Sequence, residues 1–403
     1  MKFVITAGAL TGNRGTEAMV TTCIQQIRQR YQEAQICIAS YYPLDDVIEK
    51  NAKYGKDPHL YVYSSTPMAL VLKWLPLSLL AWIFPFLKKK KCRDSGSFLE
   101  MLDADCVLDV AGVAFIDGRE KFLPFNVLTL LPFLIHGVKA FKLSQAVGPI
   151  SSFSNRICAH LILPRLDALF VRGRRTEGLV KESGLSVNFQ YYPDVSFSMG
   201  SGVYQRYAER NKLAIGIIPS SLVMKNNAHY IDDVASIITR LQHEGYQPEI
   251  ITHSWRDSGK ARNNDTIAAK AINAQLVKQV PVHGVGMDSG KLREKISQYN
   301  VVLTSRFHGL IAALETQTPL LVIGWSHKYL EVLETFDLKD EYCIDYKSID
   351  SETIFERIQE VARDGAALSE KIAHHLEATK VQSGFQFEAV FARLNSGRGE
   401  SAR

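Results

Sequence analysis

The sequence predicts an α/β protein with two parallel-sheet domains, on three observations. Short apolar runs that end in polar or glycine-containing turns and lead into helical patterns recur along the chain. At 403 residues the chain is long enough for two cores of ordinary size. Between Ser198 and Lys212 it turns polar and glycine-containing (Gly200, Ser201, Gly202) before a fresh strand, Leu213–Ile218, begins.

The first strand is Lys2–Ala7, and a turn rich in glycine follows: Gly8, Gly12, Asn13, Gly15, Thr16, Glu17. Val20, Cys23, Ile24, Ile27 and Tyr31 then recur at three- and four-residue intervals, giving one buried helix face. A glycine turn from strand to helix brings backbone N–H groups and a positive dipole end to an anion. The spacing is not G-x-G-x-x-G, so a dinucleotide is not indicated. Gln35–Ala39 is the second strand, and Cys106–Ala111 returns to the sheet after an apolar excursion. Asp103 and Asp105 precede that strand, the wrong end for metal ligands in an open sheet, and read as a solvated loop. Lys142–Pro149, Ala168–Glu177 and Tyr192–Asp194 are further strand-to-turn segments, carrying Gln145 and Arg172 at strand ends. In the second half Ile231–Leu241 is a helix ended by Gly245, and Pro248–His253 a strand whose histidine could meet a ligand from the strand end, although a satisfied histidine is the favoured reading. Val282–Lys291 misses the phosphate-loop spacing G-x-x-x-x-G-K by one residue. From Ser351 to about Leu394 the chain is helical, and Ser396–Arg403 is expected to fray.

Composition narrows the partners. The net charge of +5 is small for this length, and no basic stripe with interleaved aromatics suggests nucleic acid. Six cysteines without a Cys-x-x-Cys pair read as reduced thiols of a cytoplasmic protein, with neither a disulfide framework nor a metal site. The N-terminus enters a strand directly, so no signal peptide is expected. Residues 68–91 break the pattern: Met68–Leu87 is almost wholly apolar and Lys88–Lys91 follow. Lys73, Pro76 and Pro85 interrupt it too often for a spanning helix. Trp74, Trp82 and the lysines suit contact with a membrane surface, and the competing reading is a buried helical hairpin.

The most informative stretch is Asn300–Leu314. Val301–Leu303 form a buried strand; Thr304, Ser305, Arg306, Phe307, His308 and Gly309 fall where it ends; a short helix and the strand Pro319–Ile323 follow. Ligands of open α/β sheets bind outside the carboxyl ends of strands, where Arg306 and His308 are expected, two residues apart on extended chain and facing one side. Ser305–Gly309 with the small-residue helix and Thr318–Pro319 resembles the signature of the polysaccharide pyruvyl transferase family. Gly12, Asn13, Gly15, Glu17 and Ala18 resemble its N-terminal motif, with Thr16 where the family usually has Asp. Ala111–Gly118 occupies the place of its double-glycine segment, and the Gln145–Pro149, Arg172 and Pro193–Asp194 segments resemble others, in order. Trp325–Tyr329 resembles its lysine-bearing segment.

The resemblance implies two Rossmann-like domains facing a cleft, a glycosyltransferase-B-like fold, with phosphoenolpyruvate as co-substrate and neither cofactor nor metal. Residues 1–205 are then the N-terminal domain with its excursion 68–91, 206–370 the C-terminal domain with the donor motif, and 371–403 a C-terminal helix and tail. It implies transfer of pyruvate from phosphoenolpyruvate to a sugar of a cell-surface polysaccharide or its lipid-linked precursor, as a ketal. Ketal formation starts by protonating the enol carbon, which a histidinium can do. His308 is expected as general acid, protonated beside bound phosphate, and Arg306 and Arg172 as holders of carboxylate and phosphate. Lys328, Ser305, Gly12, Asn13, Glu17, Asp117 and Gln145 complete the expected binding set. The expected location is cytoplasmic, on the inner face of the plasma membrane if the excursion meets lipid. The alternative is a nucleotide-sugar-dependent glycosyltransferase of the same fold, which should show a uridine-stacking aromatic and an acidic ribose contact in the second domain.

Overall fold

The computed structural model describes residues 1–89, 98–200, 202, 204–256, 264–338 and 340–399. Lys90 and Lys91 of the lysine run, Ser201 of the linker and Cys92 lie outside them. The chain divides into two compact units. Unit 1 comprises Met1–Thr11, Met19–Met199 and Val381–Arg403, and unit 2 comprises Gly12–Ala18 and Gly200–Lys380. The glycine turn, placed by the sequence with the first half, therefore belongs to unit 2.

Unit 1 holds β1 (Lys2–Gly8), β2 (Gln35–Ser40), β3 (Leu60–Ser64), β4 (Cys106–Asp109), β5 (Val113–Ala114), β6 (Lys139–Val147), β7 (Ala168–Val171) and β8 (Phe189–Tyr191). They pair in the order β3-β2-β1-β4-β6-β7-β8, all parallel, with β5 beside β6. Both faces are buried, as parallel sheets require. Val4, Val107, Ala140 and Leu169 point into one core, while Phe3, Ile5, Leu108, Phe141 and Phe170 point into the other. The second core is completed by Phe387, Val390, Phe391 and Leu394 at helical spacing. That helix runs Gly365–Gly399, so residues 396–399, expected to fray, continue it.

Unit 2 holds β9 (Asn211–Ile218), β10 (Gln247–Ile251), β11 (Val282–His283), β12 (Tyr299–Thr304), β13 (Leu320–Gly324) and β14 (Cys343–Asp345), in the parallel order β11-β10-β9-β12-β13-β14. Each sheet reverses its winding direction once, between β1 and β4 and between β9 and β12. Loops that leave the carboxyl ends of such a strand pair diverge and open a crevice between them. In unit 2 the two loops carry Ser220–Ser221 and Ser305–His308.

Leu70–Trp74, Leu75–Ile83 and Phe86–Lys89 are short helices, and Pro76 and Pro85 sit where a helix starts or turns. Leu70, Trp74 and Ala81 are buried in unit 1. Trp74 stacks on Phe98 at 4.9 Å and donates its indole N–H to Ser64 O at 3.1 Å. The sequence expectation that Trp74 sits in a headgroup layer is thereby corrected: it is the anchor that holds the excursion to the core. Among the described residues no helix is long and apolar enough to cross a membrane. The described cysteines, at 23, 37, 106, 158 and 343, are free, and burial pushes the Cys37 thiol up to about 12.

Candidate functional site

The centre of unit 2 is the turn after β12. Thr304 Oγ1 accepts from Arg306 N and donates to Arg306 O, both at 3.1 Å, which turns the chain out of the strand. Arg306 is the extended residue before the helix Phe307–Glu315, and His308 is that helix's second residue. The expected extended pair on one side is therefore corrected. Apolar residues from Phe307 onward favour a buried helix, and the two side chains part company.

Arg306 points its guanidinium at Asp265. Nε lies 3.1 Å from Asp265 Oδ1, Nη2 also bonds that oxygen, and Nη2 reaches Ser221 Oγ at 3.2 Å. Asp265 is fully buried and additionally accepts from Ser221 N at 3.0 Å and Ser254 N at 2.9 Å. Its carboxylate thus ties the loops after β9, β10 and β12 together. Sequence reasoning missed Asp265; Asn264-Asp265-Thr266 reads only as a helix start, and nothing in it signals a reach of 41 positions to Arg306.

His308 lies against the backbone of Gly15. A Cβ built on Gly15 would come within 2.1 Å of His308 Cγ and Nδ1. No real contact is that close, so glycine is needed there to make room for the imidazole. Buried His253 lies nearby. Its own desolvation first, then the positive charges of His308, Arg306, Arg293 and Arg14, hold its pKa well below the ordinary histidine value. His253 is accordingly neutral beside a cluster of cations.

The glycine turn is fastened to this cluster by its backbone and its side chains. Gly12 has φ +82°, and a Cβ there would fall within 2.3 Å of the Arg256 guanidinium. Gly12 O accepts from Trp255 N at 2.9 Å and Ser254 Oγ at 2.8 Å, and Arg14 N donates to His253 O at 3.2 Å. Asn13 pairs with Ser254 as a β-bridge, and its Oδ1 caps Gly15 N at 3.0 Å. Glu17, fully buried, accepts from Arg14 Nη1 at 2.6 Å and from Ser289 N at 3.1 Å, at the start of the helix Ser289–Ile296. The carboxylate there meets a positive helix end. Asn13 and Glu17 thus hold the loop, and Gly12 and Gly15 admit Arg256 and His308.

Ser305 is buried: its hydroxyl lies 2.8 Å from Tyr230 Oη, and its carbonyl accepts from Tyr329 Oη at 3.2 Å. Burial pushes the Tyr230 hydroxyl up to about 12. Lys328 opens the helix Lys328–Thr335, and its Nζ lies 4.2 Å from the Trp325 ring centroid, 4.8 Å from Phe307 and 5.5 Å from Tyr329. Three ring faces surround this ammonium in a largely buried place.

The remaining expected residues belong to unit 1. Arg172 follows β7 and donates through Nη1 to buried Asp194 at 3.1 Å. Gln145, fully buried in β6, donates to Leu143 O at 2.8 Å and Asp109 O at 3.3 Å, and Arg172 N donates to Gln145 O at 3.1 Å. A second buried pair, Lys142 with Asp109 at 2.8 Å, adjoins them and has no counterpart in the sequence reading. Asp117 is engaged by unit 1's own donors: Ser151 N at 2.7 Å, Ser152 N at 3.1 Å and Asn155 Nδ2 at 2.8 Å, with Ser151 Oγ. Partial burial opposes its charge, but these bonds outweigh it and hold the carboxyl well below the usual range. Structurally it holds the turn Ser151–Ser152 that leads into the helix Phe153–Ile162. Among the described residues no group of three or more His, Cys, Asp or Glu is arranged to hold a metal.

No curated protein is significantly similar to this chain in sequence. Solved structures resemble it in fold. A putative UDP-N-acetylglucosamine 2-epimerase from Listeria monocytogenes superposes with a TM-score of 0.63 at 13% identity, covering 99% of this chain and 96% of its own. The UDP-GlcNAc 2-epimerase from Neisseria meningitidis, bound to UDP-GlcNAc, gives 0.58 at 11%, covering 97% and 100%. A glycosyltransferase from Rickettsia africae gives 0.57 at 9%, covering 98% of each chain. The fold is therefore the two-domain glycosyltransferase-B-like α/β fold, and at such identities the likeness shows the fold alone. The sequence profile of the polysaccharide pyruvyl transferase family matches residues 13–327, which include Asn13–Glu17 of the glycine turn and the Arg306–His308 turn. With a match over most of its length, this chain belongs to the polysaccharide pyruvyl transferase family.

Proposed function

We propose that the protein transfers pyruvate from phosphoenolpyruvate to two hydroxyls of a saccharide, releasing phosphate. The acceptor in this reading is a cell-surface polysaccharide unit or its lipid-linked precursor, met on the cytoplasmic side of the plasma membrane. One observation carries the reading. In a member of this family, Arg306 and His308 leave the carboxyl end of β12, at the point where the unit 2 sheet reverses.

His308 gives its proton to the methylene carbon of phosphoenolpyruvate, which becomes the methyl group. The second carbon becomes an oxocarbenium centre, stabilised by electron donation from its oxygen, and one sugar hydroxyl adds to it. Phosphate leaves and the neighbouring hydroxyl closes the ketal. Of the two hydroxyl protons released, one returns to His308 and the other leaves with phosphate. Arg306, oriented by Asp265, and Lys328 supply positive charge for the donor's carboxylate and phosphate. Arg172, at the carboxyl end of β7, acts as a substrate contact within unit 1, and Gln145, fully buried, acts by tying β6 to Asp109. Ser305, Asn13 and Glu17 act by holding the loops, and Gly12 by letting Arg256 approach.

The test is phosphate release from phosphoenolpyruvate by the purified protein, with and without a panel of saccharide acceptors, beside His308→Ala. Acceptor-dependent release that the variant loses supports the reading. Near-normal turnover in His308→Ala sinks the acid assignment. A melting shift with uridine diphosphate and none with phosphoenolpyruvate would move the donor to a nucleotide sugar.

A further inference from the structure

The excursion of unit 1 presents a surface that the transfer reaction does not use. Leu70, Trp74, Ser78 and Ala81 are buried and fix its helices to the core. On the opposite side Leu72, Leu79, Leu80 and Ile83 are exposed, and Leu72, Leu79 and Ile83 repeat at helical spacing on one face. Met68 at 66%, Trp82 at 62% and Phe86 at 66% exposure extend it at either end. A contiguous apolar run of this kind, facing water on a helix pinned from behind, marks an interaction surface.

Its charge says what covers it. From Pro58 to Arg93 the sequence has no acidic residue, whereas Lys73 and Lys88 flank the apolar face. Lys73 is exposed, with its Nζ 5.1 Å from the Tyr63 ring. A protein partner of ordinary composition would meet acids and bases in mixture. Apolar side chains flanked by Lys73 and Lys88 in a stretch without acids, with Trp82 and Phe86 toward one end, match the layered chemistry of a bilayer whose headgroups are anionic. The two prolines and the short helices allow the segment to lie in the interface, too short to cross it.

We propose that the Met68–Phe86 face docks unit 1 on an anionic lipid surface. The inference deepens the pyruvyl transfer reading, on which it rests for its purpose, by naming the surface at which a lipid-linked acceptor is met. The experiment is co-sedimentation of the full chain with vesicles of equal parts phosphatidylcholine and phosphatidylglycerol, beside Leu72→Ser/Leu79→Ser/Ile83→Ser. These side chains are exposed, so the variant should keep the wild-type melting temperature. Wild type is expected to sediment with the vesicles, less so at high salt, and the variant's partition coefficient to fall about a hundredfold.

Failure of wild type to sediment, or a variant that sediments equally, overturns the proposal. So does a concentration-dependent dimer that the variant abolishes, which would assign the face to a second copy of the chain. Phosphate release with a soluble acceptor is followed in parallel and should be unchanged in the variant. Turnover without vesicle binding overturns the docking alone, and vesicle binding without turnover overturns the reaction alone.

Discussion

Replacing Arg306 by Met and Asp265 by Asn, singly and together, isolates the ion pair that organises unit 2. At 3.1 Å between Nε and Oδ1, and with an effective dielectric of about 20, the gross attraction is about 5 kcal/mol. The guanidinium is 13% exposed and the carboxylate fully buried, so desolvation of both groups offsets much of that. The two backbone N–H groups on Asp265 stay in place when Arg306 is removed, but they cannot neutralise it. Arg306→Met should therefore cost about 3 kcal/mol, within the range for stranding a buried charge. Asp265→Asn should cost about 2–3 kcal/mol, because its amide turns a donor toward Ser221 N or Ser254 N and leaves the cation without its counter-ion. The double variant should lose less than the sum of the two, with a coupling of about 2 kcal/mol. Urea unfolding read by intrinsic fluorescence measures all three, and Asp265→Asn should also raise the phosphoenolpyruvate half-saturation more than it lowers turnover. Additivity within about 0.5 kcal/mol would refute the argument, since independent sites add to that accuracy.

Two more expectations follow from neighbouring geometry. Gly15→Ala places a methyl group where the His308 ring lies, so phosphate release should fall at least about tenfold while the protein remains folded; wild-type rates in a folded variant would show that the ring position does not matter. His253 is held neutral in the folded protein, with a pKa depressed below its ordinary 6.5 by burial and by the surrounding cations. The unfolded chain then binds a proton that the folded one does not at pH below about 6.5. Stability should fall there by about 1.4 kcal/mol per pH unit from this residue, and be unaffected by it above. Melting curves of wild type and His253→Asn between pH 5 and 8 check the sign: the variant should lose that part of the slope.

Much of the fold was legible because buried parallel strands leave an unmistakable pattern. Val301–Leu303, Pro319–Ile323 and Cys106–Leu108 are apolar without alternation, as a sheet covered on both faces requires. The turn that carries Arg306 and His308 was legible too, since polar residues interrupt apolar ones where a strand ends. Its conformation was less so. An N-cap depends on Thr304 Oγ1 closing on Arg306, and the same letters also suit extended chain. Trp74 shows a similar ambiguity: tryptophan suits an interface and a core equally well, and stacking on Phe98 decides between them.

What the sequence by itself determined is the α/β class, the order of strands and helices, and the family, because these rest on local periodicity and on residue types at fixed spacing. Only the tertiary structure decided which residues share a site. Asp265 reaches Arg306 across 41 positions and Glu17 reaches Ser289 across 272. Gly15 is a glycine because of His308, a neighbour nearly three hundred residues away. No local signal encodes such partners; the strand order sets the loops after β9, β10 and β12 side by side, and the Asn13–Ser254 bridge fastens the glycine turn to them.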